Sequence, residues 1–336
     1  MKFLITGGLG FIGTNLIKFL LEEYDHEILN IDKVSYASNF YYNKNFSSNN
    51  LYKFVKGDIC DNNLIIKILS EFNPDFIMNL AAESHVDKSI SGPEAFIHSN
   101  IIGTFNLLKN TRDYWNNLSR EKRKDFRFLH ISTDEVYGSL DDGGLFNELS
   151  PYQPNSPYAA SKASSDHLVR AWNKTYGLPT IISNCSNNYG PHQYPEKLIP
   201  LVILNALKNK PLPLYGDGLQ IRDWLHVKDH VRALYKIITR GKIGETYNIG
   251  ANNQISNIKL VQTICSFLDS EITNKPKNVT SFSELITYIQ DRPGHDICYG
   301  IDAEKLSKSL DWKPEIDFKI GIEETIKWYV SNNFRY

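Results

Sequence analysis

The stretch KFLITGGLGFIG, residues 2–13, decides the fold of this 336-residue chain. An apolar run leads into Gly7, Gly10 and Gly13, which are spaced G-x-x-G-x-x-G, and an amphipathic run follows them. Glycine permits a tight turn and lets the backbone approach a phosphate, while a helix N-terminus offers free N–H groups and the positive end of a dipole. The stretch therefore predicts a strand, a turn and a helix that bind a dinucleotide.

The same rhythm continues to about residue 185. Further strand-like runs lie at residues 27–32, 52–58, 75–81, 126–132 and 179–185. Helix-like runs alternate with them at residues 11–24, 62–72, 95–111 and 156–176. Strands that alternate with helices predict a parallel sheet with crossover helices, and strands that are almost wholly apolar indicate helices on both faces. The predicted fold is α/β, with a doubly wound, Rossmann-type parallel sheet.

Asp32 indicates which dinucleotide is bound. It ends the second strand, EILNID, 19 residues after Gly13. A carboxylate there binds a ribose 2′-hydroxyl and repels a 2′-phosphate, so NAD is favoured over NADP. Asp58 follows the third strand, and Ala81 and Ala82 follow the fourth. Small residues there leave room for a ligand across the sheet edge, although tight packing explains them equally well.

The chain changes character after about residue 184, where Pro and Gly become frequent. We expect an NAD-binding Rossmann domain in residues 1–183, joined by part of about 221–250. Residues 184–336 should form mainly a smaller α/β lobe that binds substrate. The Asn-rich stretch 39–50 is predicted to be a surface loop.

Composition excludes several classes of protein. The formal net charge of −1, from 37 basic and 38 acidic residues, argues against nucleic acid or an anionic membrane as a partner. No apolar run approaches the roughly 20 residues of a membrane span, and the N-terminus does not resemble a signal peptide, so we expect a cytoplasmic location. The four cysteines are scattered, which predicts free thiols and no metal site.

Tyr158 and Lys162, in SPYAASKASSDHL, lie four residues apart and therefore one turn apart on one face of a helix. A nearby ammonium favours the phenolate, so we expect the pKa of Tyr158 to be lowered and the phenolate to accept an alcohol proton. Thr133 stands at the end of the preceding strand.

These motifs resemble the extended short-chain dehydrogenase/reductase superfamily, through TGGLGFIG (6–13), SNIIGT (99–104), Thr133 and the Y-x-x-x-K pair. Within it, the chain is similar to the dTDP-glucose 4,6-dehydratase family. The segments that carry this similarity are AAESHVD (81–87), STDEVYG (132–138), SPYAASKA (156–163), NNYGPHQYPEKLIP (187–200), YGDGLQIRDWLHVKDH (215–230) and DRPGHD (291–296).

The resemblance implies a reaction on dTDP-glucose that uses all five predicted catalytic residues. Tyr158 would take the C4 hydroxyl proton while NAD takes the hydride, Thr133 would hydrogen-bond the C4 oxygen, and Lys162 would orient the ribose. Asp134 would protonate the leaving C6 hydroxyl and Glu135 would remove the C5 proton. The hydride would then return to C6, giving a 4-keto-6-deoxy sugar for deoxysugar synthesis, such as that of dTDP-rhamnose. A solvated pair of acids at a strand end is the alternative.

The resemblance also implies binding residues and a homodimer. The expected NAD contacts are Gly7, Gly10, Phe11, Ile12, Gly13, Asp32, Lys33, Asp58, Ile59, Leu80, Ala81, Ala82, Ser84, Tyr158, Lys162 and Asn187. The expected substrate contacts are Ser84, His85, Thr133, Asp134, Glu135, Asn187, Glu196, Lys197, Leu198, Pro213, Tyr215, Arg222, Asn257, Asp291, Arg292 and His295. Ile297 and Cys298 depart from the family, in which arginines are common there. Other functions left open are a UDP-glucose 4,6-dehydratase, an epimerase or decarboxylase of the same fold, and a non-catalytic NAD-binding regulator.

Overall fold

The computed structural model describes residues 1–140, 143–273, 275–276 and 278–332. Its strands are β1 Lys2–Thr6, β2 Glu27–Asp32, β3 Tyr52–Lys56, β4 Phe76–Asn79, β5 Arg127–Thr133, β6 Thr180–Cys185, β7 Asn187–Tyr189, β8 Leu212–Tyr215, β9 Ile221–His226, β10 Thr246–Ile249, β11 Gln254–Ser256 and β12 Ile286–Ile289. Its helices are α1 Phe11–Glu23, α2 Phe40–Phe46, α3 Asn62–Phe72, α4 Val86–Ser91, α5 Glu94–Phe96, α6 Gly103–Asn116, α7 Arg120–Asp125, α8 Pro157–Tyr176, α9 Leu198–Leu207, α10 Val227–Arg240, α11 Asn257–Glu271, α12 Glu304–Leu310 and α13 Phe318–Ser331.

A seven-stranded sheet forms the centre of the molecule, in the order β10-β6-β5-β4-β1-β2-β3. All six strand pairs in it are parallel. The strand order reverses between β1 and β4, and a doubly wound sheet binds ligands at such a point, outside the carboxyl ends of the strands.

Helices cover both faces of this sheet. On one face, α1 and α10 pack against each other, and their buried residues join a core that includes Leu16, Leu20 and Leu234. On the other face, α3, α6 and α8 surround a core that includes Ile65 and Leu107. Strands buried on both faces have to be apolar throughout, which explains their sequences. The predicted doubly wound fold is confirmed.

The smaller lobe has its own core. Helices α9, α11 and α13 pack together around buried side chains such as Val202, Ile264 and Ile326. Two small sheets accompany them, one in the order β11-β9-β7 and one that pairs β8 with β12. Helix α10 and strand β10 come from the later part of the chain but pack with the main sheet, so they connect the lobe to that sheet.

Two local predictions differ from the structure. The Asn-rich stretch is not simply a loop, because it contains α2, whose Phe46 side chain is buried beside Tyr52. The apolar spacing of its aromatic residues outweighs the turn preference of asparagine. The single helix predicted over 95–111 is a succession of α5, a π-helical segment Ile97–Ile102 and α6. No helix within the described ranges is long and apolar enough to cross a bilayer.

Candidate active site

The glycine turn after β1 has no room for side chains. Gly7 has φ +70°, and a Cβ on it would lie 2.7 Å from the Cα of Ala81. A Cβ on Gly13 would lie 2.4 Å from the carbonyl oxygen of Gly7, so this glycine lets α1 pack tightly against the turn. No side chain caps the N-terminus of α1 at Gly10. The free N–H groups there are available to an anion.

Asp32 is fixed at the end of β2 by the backbone around it. Its Oδ2 accepts a hydrogen bond from the Leu9 amide at 2.9 Å, and its Oδ1 accepts one from the Val34 amide at 2.8 Å. Burial raises the pKa of Asp32, and these amide donors oppose that rise by favouring the charged form. The remaining lone pairs of the carboxylate can therefore accept from ribose hydroxyls.

A cavity of about 480 Å³ follows the carboxyl ends of the main strands and extends to the smaller lobe. With one exception, every residue predicted to contact NAD or substrate lines this cavity. The exception is Asp291, whose side chain is exposed and accepts a hydrogen bond from Gln220 at 3.2 Å. The structure thus brings together residues as far apart in the chain as Gly7 and His295.

Tyr158 and Lys162 lie in the first turns of α8, where the hydroxyl of Ser156 caps the helix by accepting from the Ala159 amide at 3.1 Å. Both are buried. Thr133 lies at the end of β5, and its hydroxyl acts to lower the pKa of Tyr158. Burial, followed by the charge of Glu135, nevertheless raises the pKa of Tyr158 well above its ordinary value.

The lowered pKa predicted for Tyr158 is therefore wrong for the protein chain by itself. The ammonium of Lys162 is directed elsewhere, since Nζ donates to the carbonyl oxygen of Ile131 at 2.7 Å. Helical spacing placed the two side chains on one face, but it did not predict which acceptor the lysine would use.

Asp134 and Glu135 lie in a 3-10 turn that directly follows β5. Oδ1 of Asp134 accepts a hydrogen bond from the Thr133 hydroxyl at 3.3 Å, and the Glu135 amide donates to that hydroxyl at 3.3 Å. Oδ2 of Asp134 is buried, and none of the described residues forms a hydrogen bond with it. The alternative of a solvated acid pair is excluded for Asp134, whose exposed fraction is 2%.

The surroundings separate the two acids electrostatically. Burial, the charge of Glu135 and the charge of Asp223 raise the pKa of Asp134 well above its ordinary value. Burial also raises the pKa of Glu135, but three cations oppose this rise, namely Lys197, Arg292 and Arg222. The surroundings therefore favour the protonated form more strongly in Asp134 than in Glu135, which is the order that acid–base elimination requires.

Cationic side chains surround the far end of the cavity. The guanidinium of Arg222 donates to the carbonyl oxygen of Asp296 at 2.9 Å and lies 4.2 Å from the centre of the Tyr299 ring. No carboxylate of the described residues forms an ion pair with Arg222, so its charge is available to a phosphate. Arg292 lies 3.3 Å from Asp87, which also accepts from the Tyr215 hydroxyl at 2.9 Å.

Ile297 and Cys298 do not line the cavity. The Ile297 side chain is 62% exposed, and its carbonyl oxygen accepts from the Ile221 amide at 2.8 Å. The absence of arginines at these two positions therefore removes no cation from the cavity wall.

Several cavity residues were missed in the sequence analysis. They include Tyr36, Glu83, Asp87, Tyr194 and Tyr299. Asp87 lies within the motif AAESHVD (81–87), so that motif could have indicated its place in the cavity. The hydroxyl of Tyr36 contacts both carboxylate oxygens of Glu196 at 2.9 Å across 160 residues of sequence, and no local pattern indicates such a pairing.

Unpaired buried polar atoms show that the cavity suits a polar ligand. Within the described residues, six of them belong to side chains of the wall, namely Asp134 Oδ2, Ser186 Oγ, Asn187 Oδ1, Trp224 Nε1, Asn257 Oδ1 and Arg292 Nε. A buried polar group without a partner costs about 1–3 kcal/mol, which a bound ligand recovers by hydrogen bonding. Together with the glycine turn and Asp32, these atoms fit a dinucleotide and a polar substrate.

The four cysteines are free thiols. Potential ligand atoms of Asp58, Cys60 and His98 lie within 4.8 Å of one another, and Asp58 also lines the cavity. The absence of a functional metal stays a prediction.

Comparisons with known proteins identify the family. The family model described as GDP-mannose 4,6 dehydratase matches residues 4–325. The dTDP-glucose 4,6-dehydratase of Salmonella typhimurium is 55% identical over 341 residues, covering 99% of this chain and 93% of that protein.

Solved structures agree with this result. The dTDP-glucose 4,6-dehydratase of Bacillus anthracis, in complex with NAD, has 42% identity and a TM-score of 0.87, covering 100% of this chain and 98% of that one. DesIV, the dTDP-glucose 4,6-dehydratase of Streptomyces venezuelae, with NAD bound, has 38% identity and a TM-score of 0.91, covering 100% and 99%. With its fold, its cavity and these relatives in agreement, the chain belongs to the dTDP-glucose 4,6-dehydratase family of extended short-chain dehydrogenases/reductases.

Proposed function

We propose that this protein is a hydro-lyase that converts dTDP-glucose to dTDP-4-keto-6-deoxyglucose with NAD as its cofactor. The relatives support the substrate and the cofactor. The observation that carries the reaction type is the acid pair, in which a buried Asp134 and a cation-surrounded Glu135 adjoin Thr133 and Tyr158. An epimerase has no use for such a pair, because it eliminates no water.

Oxidation at C4 uses Tyr158 as the base for the hydroxyl proton and Thr133 as a hydrogen-bond partner of the same oxygen. NAD, when bound, supplies the acceptor for the hydrogen that leaves C4. The glycine turn, the N-terminus of α1 and Asp32 would hold this cofactor, with Lys162 at its ribose. Lys162, whose ammonium donates to the Ile131 carbonyl, would have to turn toward the phenol and the ribose to favour the Tyr158 phenolate.

Elimination follows because a ketone at C4 acidifies the hydrogen on C5. Glu135 in its ionised form accepts that proton, and Asp134 in its protonated form donates one to the departing C6 hydroxyl. The two groups are adjacent in the chain and open into one cavity, so they can serve neighbouring carbon atoms. Return of the hydrogen to C6 and of a proton to C5 completes the reaction and restores the cofactor.

The nucleoside diphosphate would lie toward the smaller lobe. Arg222, whose charge is held by backbone carbonyls, would bind the diphosphate, and Tyr215 would stack on the base. Glu196 and Lys197 line the same cavity and would contact the sugar.

Incubation with nucleotide sugars tests the function. Purified protein should convert dTDP-glucose to a product lighter by one water with no net NADH, and should act on UDP-glucose more slowly. Faster turnover of UDP-glucose would indicate the other 4,6-dehydratase. An epimer of unchanged mass would indicate a 4-epimerase. Loss of carbon dioxide from a nucleotide uronic acid would indicate a decarboxylase. Binding of NAD without turnover of any nucleotide sugar would indicate a regulator.

We propose in addition that the protein is a homodimer. Four apolar side chains near α6 and α8 are exposed, namely Ile97, Ile102, Phe105 and Tyr176. A second copy of the chain could cover such a surface. A monomeric mass in light scattering would contradict this proposal.

The cellular setting and the domain division are proposals as well. We place the reaction in the cytoplasm, in deoxysugar synthesis such as that of dTDP-rhamnose, and the free thiols support a reducing compartment. The division into residues 1–183 and 184–336 is supported by the separate core of the smaller lobe. Proteolysis that released a folded fragment near residue 184 would test it.

A further inference from the structure

A buried polar cluster lies behind Lys162, outside the cavity wall. Oδ2 of Asp166 accepts hydrogen bonds from the Ser132 hydroxyl at 2.8 Å and from the Tyr152 hydroxyl at 2.9 Å. Oδ1 of Asp166 lies 3.5 Å from Nε2 of His130, and the same Nε2 lies 3.5 Å from Nζ of Lys162. Neither Asp166 nor His130 lines the cavity.

Burial makes the charge of Lys162 costly. The exposed fractions are 4% for Lys162, 1% for His130 and 0% for Asp166. A buried ammonium loses its proton unless an opposite charge stabilises it. The carbonyl oxygen of Ile131 offers Lys162 a hydrogen bond but no charge. Asp166, one helical turn farther along α8, is the carboxylate whose charge acts on Lys162.

The other groups that face this pair do not replace that carboxylate. Lys162 is also near the Cys185 thiol of β6 and the imidazole of His130 on β5. Burial, with the charge of Lys162, lowers the pKa of His130 well below its ordinary value, so His130 is a neutral bridge. Asp166 is also near Arg170, on its own helix, and near the Tyr152 and Tyr137 hydroxyls.

We propose that Asp166 is a positioning residue of the dehydratase, the buried counter-ion that keeps Lys162 protonated at the wall of the catalytic cavity. This inference rests on the proposed function. It assigns to Asp166 a role in C4 oxidation although it touches neither substrate nor cofactor.

The cluster also predicts the direction of a pH effect. Burial raises the pKa of Asp166 to about 6, while Lys162 and the hydrogen bonds of Ser132 and Tyr152 oppose that rise. Asp166 is therefore ionised at neutral and alkaline pH, where its charge stabilises the buried ammonium of Lys162. Without this charge Lys162 gives up its proton at a lower pH, and a neutral Lys162 no longer favours the Tyr158 phenolate, so the rate of C4 oxidation falls at a lower pH on the alkaline side.

Three variants of the full-length protein test the proposal. Asp166→Asn keeps the shape of the side chain and removes its charge, whereas Asp166→Glu keeps the charge and changes the shape. We expect the alkaline limb of the C4 oxidation rate on dTDP-glucose to move down by about one pH unit in Asp166→Asn and to stay near the wild-type position in Asp166→Glu. A difference absorbance titration of each protein against its Tyr158→Phe counterpart should show the phenolate forming at higher pH in Asp166→Asn alone.

Asp166→Ser serves if Asp166→Asn does not fold. It also removes the charge but keeps a hydroxyl for the hydrogen bonds of the cluster, so the alkaline limb should move down as in Asp166→Asn. An alkaline limb that stays at the wild-type position in every folded variant without the charge of Asp166 overturns the inference, as does an equal shift in Asp166→Glu. A wild-type protein inactive on dTDP-glucose would instead contradict the proposed function.

Discussion

The two ends of the cavity are built differently. At the main sheet, the functional groups are buried and held by backbone atoms, as Asp32 is by two amides and Lys162 by the Ile131 carbonyl. At the smaller lobe, Arg222 is likewise held by backbone carbonyls, but Asp87 is held by side chains alone, through its contacts with Tyr215 and Arg292. Changes at the main sheet should therefore alter kcat, and changes at the smaller lobe should alter KM.

The largest effect should come from Tyr158→Phe, which removes the base for the C4 hydroxyl. We expect kcat to fall by about 10³-fold, within the usual range for general base catalysis, and no NADH to form in a single turnover. Tyr176→Phe, on the same helix and exposed, should leave kcat unchanged. If Tyr158→Phe still oxidised C4 at the wild-type rate, the base would be misassigned.

Asp134→Asn should separate oxidation from elimination. The amide retains the size of the side chain but cannot protonate a leaving hydroxyl, so dehydration should slow by about 10²-fold or more. C4 oxidation continues, and NADH should accumulate, seen as absorbance on mixing with dTDP-glucose. Full dehydratase activity in this variant would contradict the role of Asp134.

The pH dependence of elimination sharpens the same contrast between the two acids. Glu135 must be ionised and Asp134 protonated, and the pKa of each is raised. Activity should therefore fall on the acid side as Glu135 takes up a proton, at a pH above the ordinary value of about 4.3 for glutamate, and on the alkaline side as Asp134 loses one. Removing the Asp134 carboxyl should abolish the alkaline limb of the residual elimination rate, and its persistence would point to another acid.

Arg222→Lys examines the other end of the cavity. Lysine keeps one charge but cannot donate to the backbone carbonyls and a diphosphate with the same planar geometry. We expect KM for dTDP-glucose to rise about tenfold with kcat within about twofold of wild type. A fall in kcat without a change in KM would break the proposed division between the two ends.

Ile297→Arg should have the smallest effect. The side chain is exposed and does not line the cavity, so an arginine there adds no contact to bound nucleotide. KM for dTDP-glucose should change less than about twofold. A KM that falls severalfold would show that this position reaches the nucleotide after all.

The contrast between the two ends of the cavity also describes how much the sequence could predict. The glycine turn, Asp32 and the Tyr158–Lys162 turn each depend on short-range geometry, so periodicity and spacing were sufficient to place them. The lobe depends on partners far apart in the chain, such as Asp87 and Arg292, and only the family resemblance indicated part of it. Residue spacing also does not predict how deeply a side chain is buried. For this reason the predicted lowering of the Tyr158 pKa was wrong, and Asp166 was not predicted to be a counter-ion.

The central claim is that one cavity carries out oxidation, elimination and reduction without releasing the hydrogen taken from C4. The most direct measurement uses dTDP-glucose that carries deuterium at C4, incubated with the purified protein in ordinary water and analysed by NMR and mass spectrometry. The account predicts a dehydrated product with the deuterium retained at C6. Deuterium lost to the solvent, or a product that keeps it at C4, would contradict the account.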